Sequence, residues 1–116
     1  MKKLFSFFAV LSISACGNDT DYEFIGRQGA VLAYSVPSDR AEDVGHYRRV
    51  VTEVCPGSGI CIVSFFVGLS SVTYPLSDSE LAAQTAQYNR NPSSGLDRLM
   101  LACRLSTEGP SNCFSN

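Results

Sequence analysis

The sequence predicts an α+β fold: a small two-layer α/β sandwich in which a three- or four-stranded sheet carries two helices on one face. Three observations predict it. Ile60–Val67 is an unbroken run dominated by β-branched and aromatic residues, the pattern of a strand buried on both faces. Ala41, Val44, Tyr47, Val51 and Val54 follow one another at steps of three and four, which lays an apolar stripe along a helix. Ser77-Asp78-Ser79-Glu80 has the form of a capping box, the reciprocal pair of bonds that opens a helix.

Each element follows in chain order. Gly17–Glu23 is polar and charged and reads as a tether, with the folded part beginning near Phe24. Ala30–Val36 alternates, with Leu32, Tyr34 and Val36 on one side, and is a strand closed by Pro37. Ser38 and Asp39 offer helix N-caps, and Glu42 and Asp43 suit the positive end of the helix dipole. Gly45 weakens that first helix by about 1 kcal/mol relative to alanine, and Cys55-Pro56-Gly57 stops it. After the central strand at Ile60–Val67, Ser71–Tyr74 is a short edge strand before Pro75. The capping box opens the second helix, with Leu76 and Leu81 at the positions of a hydrophobic staple. That helix is expected to run to about Arg90 and end before Asn91-Pro92. Pro92-Ser93-Ser94-Gly95 is a turn, and Leu96–Arg104 is the last strand, with Leu99, Leu101 and Cys103 facing one way. The order is strand, helix, strand, (strand), helix, strand. Right-handed crossovers between parallel strands would set both helices on one face.

The amino terminus has a different character. Met1-Lys2-Lys3, a mostly apolar run from Leu4 and small residues leading to Cys16 are the parts of an export signal. A membrane-spanning helix needs about 20 apolar residues, whereas Leu4–Ala15 is shorter and interrupted by Ser6, Ser12 and Ser14. Ile13-Ser14-Ala15-Cys16 resembles the lipobox of bacterial lipoproteins. The resemblance covers residues 1–16. It implies that Cys16 becomes the first residue of the mature chain, with a diacylglyceryl thioether on sulfur and an amide-linked acyl group such as palmitate on nitrogen. Two or more acyl chains anchor a protein stably where one does not. Gly17 after the cysteine, rather than aspartate, implies the periplasmic face of the outer membrane rather than the inner membrane under the sorting rule of enteric-type cells. The chain thus divides into a signal peptide (1–15), a lipidated N-terminus and tether (16–23), and one globular disulfide-stapled domain (24–116). The stretch from Cys61-Ile62-Val63 through Ala86-Gln87-Tyr88-Asn89 to Cys103 resembles small exported bacterial proteins that are uncharacterised, a likeness that brings no site with it.

Composition excludes several roles. Both lysines lie in the signal, so the remainder carries seven arginines against eleven carboxylates, a net charge of −4. With no basic patch to offset phosphate repulsion, nucleic acid is not an expected partner. The absence of lysine from the mature chain excludes Schiff-base chemistry. Four cysteines remain after Cys16, and an even number in a small exported domain reads as two disulfides. Of three possible pairings, Cys55–Cys61 and Cys103–Cys113 are favoured because each brackets a turn rich in glycine, proline or polar residues. Each such loop is worth roughly 2–3 kcal/mol in the chain-entropy model. Their spacings do not fit zinc knuckles, so neither a metal nor another cofactor is expected.

Candidate chemistry is sparse. His46 is the one histidine, with Glu42 four residues before it; the pair reads as surface charges on a solvated helix flank, not as a base dyad. No G-x-S-x-G nucleophile elbow accompanies it. Cys55 and Cys61 lack the Cys-X-X-Cys arrangement at a helix N-terminus that lowers a thiol pKa. Asp97 beside Arg98 reads as an exposed charge pair. Tyr88, Asn89 and Arg90 form a polar cluster at the expected end of the second helix, suited to a glycan or a peptide backbone. No catalytic residue is assigned. The expectation is a membrane-anchored cell-envelope lipoprotein with a non-enzymatic binding or structural role, its partner an envelope protein or glycan. The alternatives are a small periplasmic hydrolase or thiol oxidoreductase using His46 or Cys55/Cys61, and an immunity or inhibitor lipoprotein.

Overall fold

The computed structural model describes residues 21–107 and 109–115, with Pro110 described by its backbone alone. The export signal (1–15), Cys16 and the tether as far as residue 20 lie outside the described residues. The first unit has the predicted strand–helix–strand order. Its helix, however, opens at Val44 with Asp43 as the N-cap, past the expected caps Ser38 and Asp39 and past Ala41, because the Asp43 carboxylate accepts from the His46 backbone N–H. β2 (Val31–Val36) leads through a one-turn 3-10 helix at Ser38–Arg40 into α1 (Val44–Val54), and α1 returns the chain to β3 (Cys61–Val67). β2 and β3 pair in parallel, from Val31 opposite Ile62 to Val36 opposite Val67. A parallel pair requires such a crossover.

The rest corrects the two-helix sandwich. Among the described residues the chain forms one six-stranded mixed sheet, and its strand order is the chain order. β1 (Glu23–Gln28) adds antiparallel to β2. β4 (Gln84–Asn91) and β5 (Leu96–Ala102) continue antiparallel beyond β3, and a two-residue β6 (Cys113–Phe114) pairs in parallel with the end of β5. The predicted second helix is only α2 (Asp78–Ala83), and Ser71–Tyr74 is loop rather than edge strand. The two helices also fail to share a face. α1 packs its buried residues against Val63 and Phe65, whereas Leu69, Val72, Leu76 and Ala83 of the β3–β4 connection pack on Ile25, Ala33 and Phe66 of the other face.

The reason for the shortened helix is local and then tertiary. Ser77 and Glu80 do form the capping box, which starts a helix without setting its length. From Gln84 onward come threonine, tyrosine and asparagine, all weak helix formers. As a strand, this stretch buries Ala86 and Tyr88 against β3 and β5. Tertiary burial therefore outweighs the cap. Leu76 and Leu81 do not both become buried: Leu76 joins the second-face cluster and Leu81 stays 38% exposed. The Asn91–Gly95 segment closes the β4–β5 hairpin. The Asn91 side-chain oxygen accepts from the Ser93 backbone N–H and hydroxyl, and Gly95 takes the left-handed φ of +75° that disfavours side chains.

Central β3 is buried on both sides, with Phe65 and Phe66 fully covered on opposite faces. At the join of β3 and β4 the register slips between Phe65 and Phe66, leaving Thr85 as an extra residue. Tyr47 of α1 stands over this bulge, its ring 4.8 Å from that of Phe65. Its hydroxyl donates to the Ala41 carbonyl (2.7 Å) and shares a hydrogen bond with the Thr85 hydroxyl (2.8 Å). Burial pushes that hydroxyl up to about 12. One disulfide ties the C-cap of α1 to the first residue of β3 (Cys55–Cys61), and the other ties the chain just past β5 to β6 (Cys103–Cys113). On the edge, a Cβ on Gly26 would sit 2.8 Å from the Val72 side chain, so the β3–β4 loop closes over β1 only because that position is glycine.

Tyr47→Phe keeps the ring contact and removes both hydroxyl bonds. It should lower stability by about 1–3 kcal/mol, because the Ala41 carbonyl and the buried Thr85 hydroxyl lose a partner. Urea unfolding should show a lower midpoint at an unchanged slope.

Candidate functional site

The exposed chemistry of the domain is organised by α1, whose surface divides into three stripes. Tyr47, Val50 and Val51 form the buried stripe. Residues 46, 49 and 53 run along one flank and residues 44, 48 and 52 along the other, as the spacing of three and four dictates. The two flanks have separate uses.

The first flank fastens the start of the folded chain. His46 is 3% exposed, not on a solvated flank as its polar surroundings in sequence predict. Helix α1 begins at Val44, with the Asp43 carboxylate accepting from the His46 backbone N–H, so Glu42 lies outside the helix and is not a helical neighbour of His46. The His46 ring sits with Nε2 2.9 Å from the Asp21 carbonyl and Nδ1 3.1 Å from the Arg49 guanidinium. A neutral ring with its proton on Nε2 satisfies both contacts, donating to the carbonyl and accepting from Arg49. Arg49 bridges onward to Asp21 (2.7 Å) and Glu53 (3.2 Å). Glu53 accepts from the Tyr22 hydroxyl at 2.6 Å. That bond, with help from Arg49, holds the Glu53 carboxyl below its ordinary range and raises the Tyr22 hydroxyl. Asp21 and Tyr22 are therefore bound to the helix, and Glu23 already belongs to β1.

The second flank lines a groove. A single helix cannot cover six strands, and beside α1 the β5 side chains Leu99 and Leu101 are only partly buried. Val44, Leu99, Leu101 and Leu105 supply the apolar lining of a recess of about 290 Å³, with Glu42, Thr107 and Asn112 among its polar lining. A second recess of about 310 Å³ adjoins it, lined by Thr52, Tyr88, Arg90 and Asp97. Arg48 lines both. Its guanidinium lies 5.9 Å from the centre of the Tyr88 ring and 3.3 Å from the Asp97 carboxylate. Burial, followed by the Asp97 carboxylate, raises the Tyr88 hydroxyl. The Arg48–Asp97 pair is half-exposed on both sides, and such pairs are worth about 0–1 kcal/mol. Arg48 is thus cheaply released to another acceptor.

Of the predicted recognition cluster, Tyr88 and Arg90 both line the second recess and Asn89 does not. Tyr88 is buried beneath Arg48, and Asn89, one residue on, faces the opposite side of the sheet. Arg90 spans the first disulfide loop, donating from Nε to the Gly59 carbonyl (2.8 Å) and from Nη2 to the Pro56 carbonyl (3.4 Å). Cys55, Cys61, Cys103 and Cys113 are joined as the two disulfides. Asp97 and Arg98 part company: Asp97 meets Arg48 and Arg98 donates to the Ser111 carbonyl. Among the described residues no group of three or more His, Cys, Asp or Glu side chains gathers around a possible metal position. Sequence reasoning missed Arg48, which is separated from Asp97 by 49 residues; only the 44/48/52 spacing marked a flank, and nothing marked its partner.

Comparison with known protein families, with curated proteins and with solved structures finds no match to this chain.

The latch has a pH signature. The lowered Glu53 stabilises the folded state above the ordinary glutamate value of about 4.3 and loses that effect as pH falls through its folded value. Amide protection at Tyr22 and Glu23, corrected for intrinsic exchange, should therefore be constant near neutrality and drop in acid. In Glu53→Gln that local acid step should disappear.

Proposed function

We propose that the chain is an exported bacterial lipoprotein, held at the periplasmic face of an envelope membrane through acylated Cys16, and that its domain is a non-catalytic binding module. The observation that carries this reading is the division of labour on α1. One flank fastens Asp21 and Tyr22, the first described residues after the lipobox cysteine; the other lines the groove of Leu99, Leu101, Val44 and Arg48. The part of the domain nearest the anchor is thereby separated from the part open to a partner. Two disulfides support an oxidising compartment. The groove, half apolar with one exchangeable arginine, suits an envelope protein or a glycan carrying an apolar group and a hydrogen-bond acceptor. His46 supports a structural reading, since both of its ring nitrogens are engaged by the latch.

Intact-mass spectrometry on protein extracted from native membranes tests the anchor. The expected chain begins at Cys16, carries diacylglyceryl and acyl mass, and gains about 4 Da on reduction as four sulfurs take up hydrogen. An unlipidated chain overturns the anchored reading.

For the groove, Val44→Glu places a charge in the apolar recess without touching the core. A partner drawn from envelope extract by the wild-type protein should be lost by Val44→Glu and kept by Ile60→Glu, whose position is 63% exposed and is not among the lining of either recess. Equal retention by both variants removes the groove from the account.

A further inference from the structure

The latch decides more than where the chain starts, because it fixes which side of the domain lies beside the anchor. Cys16 precedes Asp21 by five residues, and five residues at full extension reach at most roughly 18 Å. Asp21 is itself bound by His46 and Arg49. Whatever holds Cys16 is therefore within that distance of the flank where β1 and β2 form the edge of the sheet.

That flank carries an aromatic patch. Phe24 and Tyr34 face each other across β1 and β2 with ring centres 5.5 Å apart, and Tyr22 stands edge-on to Tyr34 at 5.8 Å. Phe24 is 52% exposed, one of the most exposed large apolar side chains described. Tyr22 and Tyr34 pack on the main core cluster while remaining partly open. Arg27, opposite Leu32, lies on the same face near Tyr34, whereas Glu23 pairs with Ser35 and points to the other face. The Tyr22 hydroxyl meets the Glu53 carboxylate, so the patch is aromatic with polar and charged groups at its margin. Tyrosine and phenylalanine with one face dry and one wet match the lipid–water interface.

We infer that Tyr22, Phe24 and Tyr34 form a membrane-contact surface, seated in the interfacial layer of the bilayer that holds the lipid anchor. This inference rests on the anchored reading above. It orients the domain: β1 lies toward the lipid, and β5 with its groove lies four strand spacings away, roughly 19 Å, turned toward the periplasm. The patch also gives the single acylated residue a second point of attachment, so that the domain is held in one orientation and does not swing on its tether.

The chain contains no tryptophan, so one introduced indole reports its own surroundings. Phe24→Trp and Leu96→Trp, in the full acylated protein, are reconstituted into phosphatidylethanolamine/phosphatidylglycerol vesicles with or without brominated acyl chains. Leu96 is 42% exposed at the start of β5, on the far edge and at the other end of the sheet. The expected result is a blue-shifted emission for Phe24→Trp on reconstitution and a loss of intensity with brominated lipid, with neither change for Leu96→Trp. Tyr34→Trp, in the same patch, gives the reading should Phe24→Trp fail to fold. Acylation is checked on the same samples by intact mass. Acylated protein whose patch indole shows no shift and no quenching, or no more than Leu96→Trp, overturns the membrane contact and leaves the anchor standing. A chain purified from native membranes without acyl mass overturns the anchored reading and the contact together.

Discussion

Tyr47 is the contact on which the arrangement turns. One helix lies across a sheet of six strands, and a helix that covers so little of a sheet needs something to define where it sits. The Tyr47 ring lodges against Phe65 of the central strand, and its hydroxyl reaches the Ala41 carbonyl on one side and the bulged Thr85 on the other. A buried hydroxyl left without partners is costly, so the bonds select one position of α1 along the sheet where apolar contact alone would accept several. The bulge that delivers Thr85 to that position belongs to β4, the strand that the capping box alone would have made helical.

The ends of the structure are fixed by other means. The Cys55–Cys61 bond closes the loop between α1 and β3, and Arg90 reaches over the same loop to two of its carbonyls. The Cys103–Cys113 bond holds β6 against β5, where the two strands share only two paired positions. A domain of this size buries a core with little margin, and each covalent loop of this length contributes roughly 2–3 kcal/mol through the unfolded state. Staples at the periphery let the centre remain a thin layer on each side of β3, built of Val, Tyr, Phe and Ala under α1 and of Ile25, Ala33 and Phe66 on the other face.

The position of α1 also sorts the surface. Because the buried stripe is set by Tyr47, the flank with His46, Arg49 and Glu53 must face the β1 edge and the flank with Val44, Arg48 and Thr52 must face β5. The polar latch and the half-apolar groove are thus consequences of one rotation of one helix. On the proposed reading the attachment and the binding surface lie on these two flanks, and a single packing decision separates them.

Much of this was legible in the residues themselves. The two disulfide loops, the central strand expected over Ile60–Val67 and found at Cys61–Val67, the helix stop at Cys55-Pro56-Gly57, the capping box and the turn before Leu96 are all governed by neighbours within about ten residues of each other, where local stereochemistry dominates. The resemblance of residues 1–16 to an export signal with a lipobox is likewise a local pattern, on residues outside those described. Strand identity at Gln84–Asn91, the burial of His46, the parting of Asn89 from Tyr88 and Arg90, and the meeting of Arg48 with Asp97 depend on partners distant in sequence. Their outcome is set by which segments pair in the sheet and where α1 rests on it. The sequence by itself determined the local starts, stops and covalent closures. Only the tertiary structure decided which face each polar side chain occupies, because in a sheet that choice changes with every single-residue shift of register.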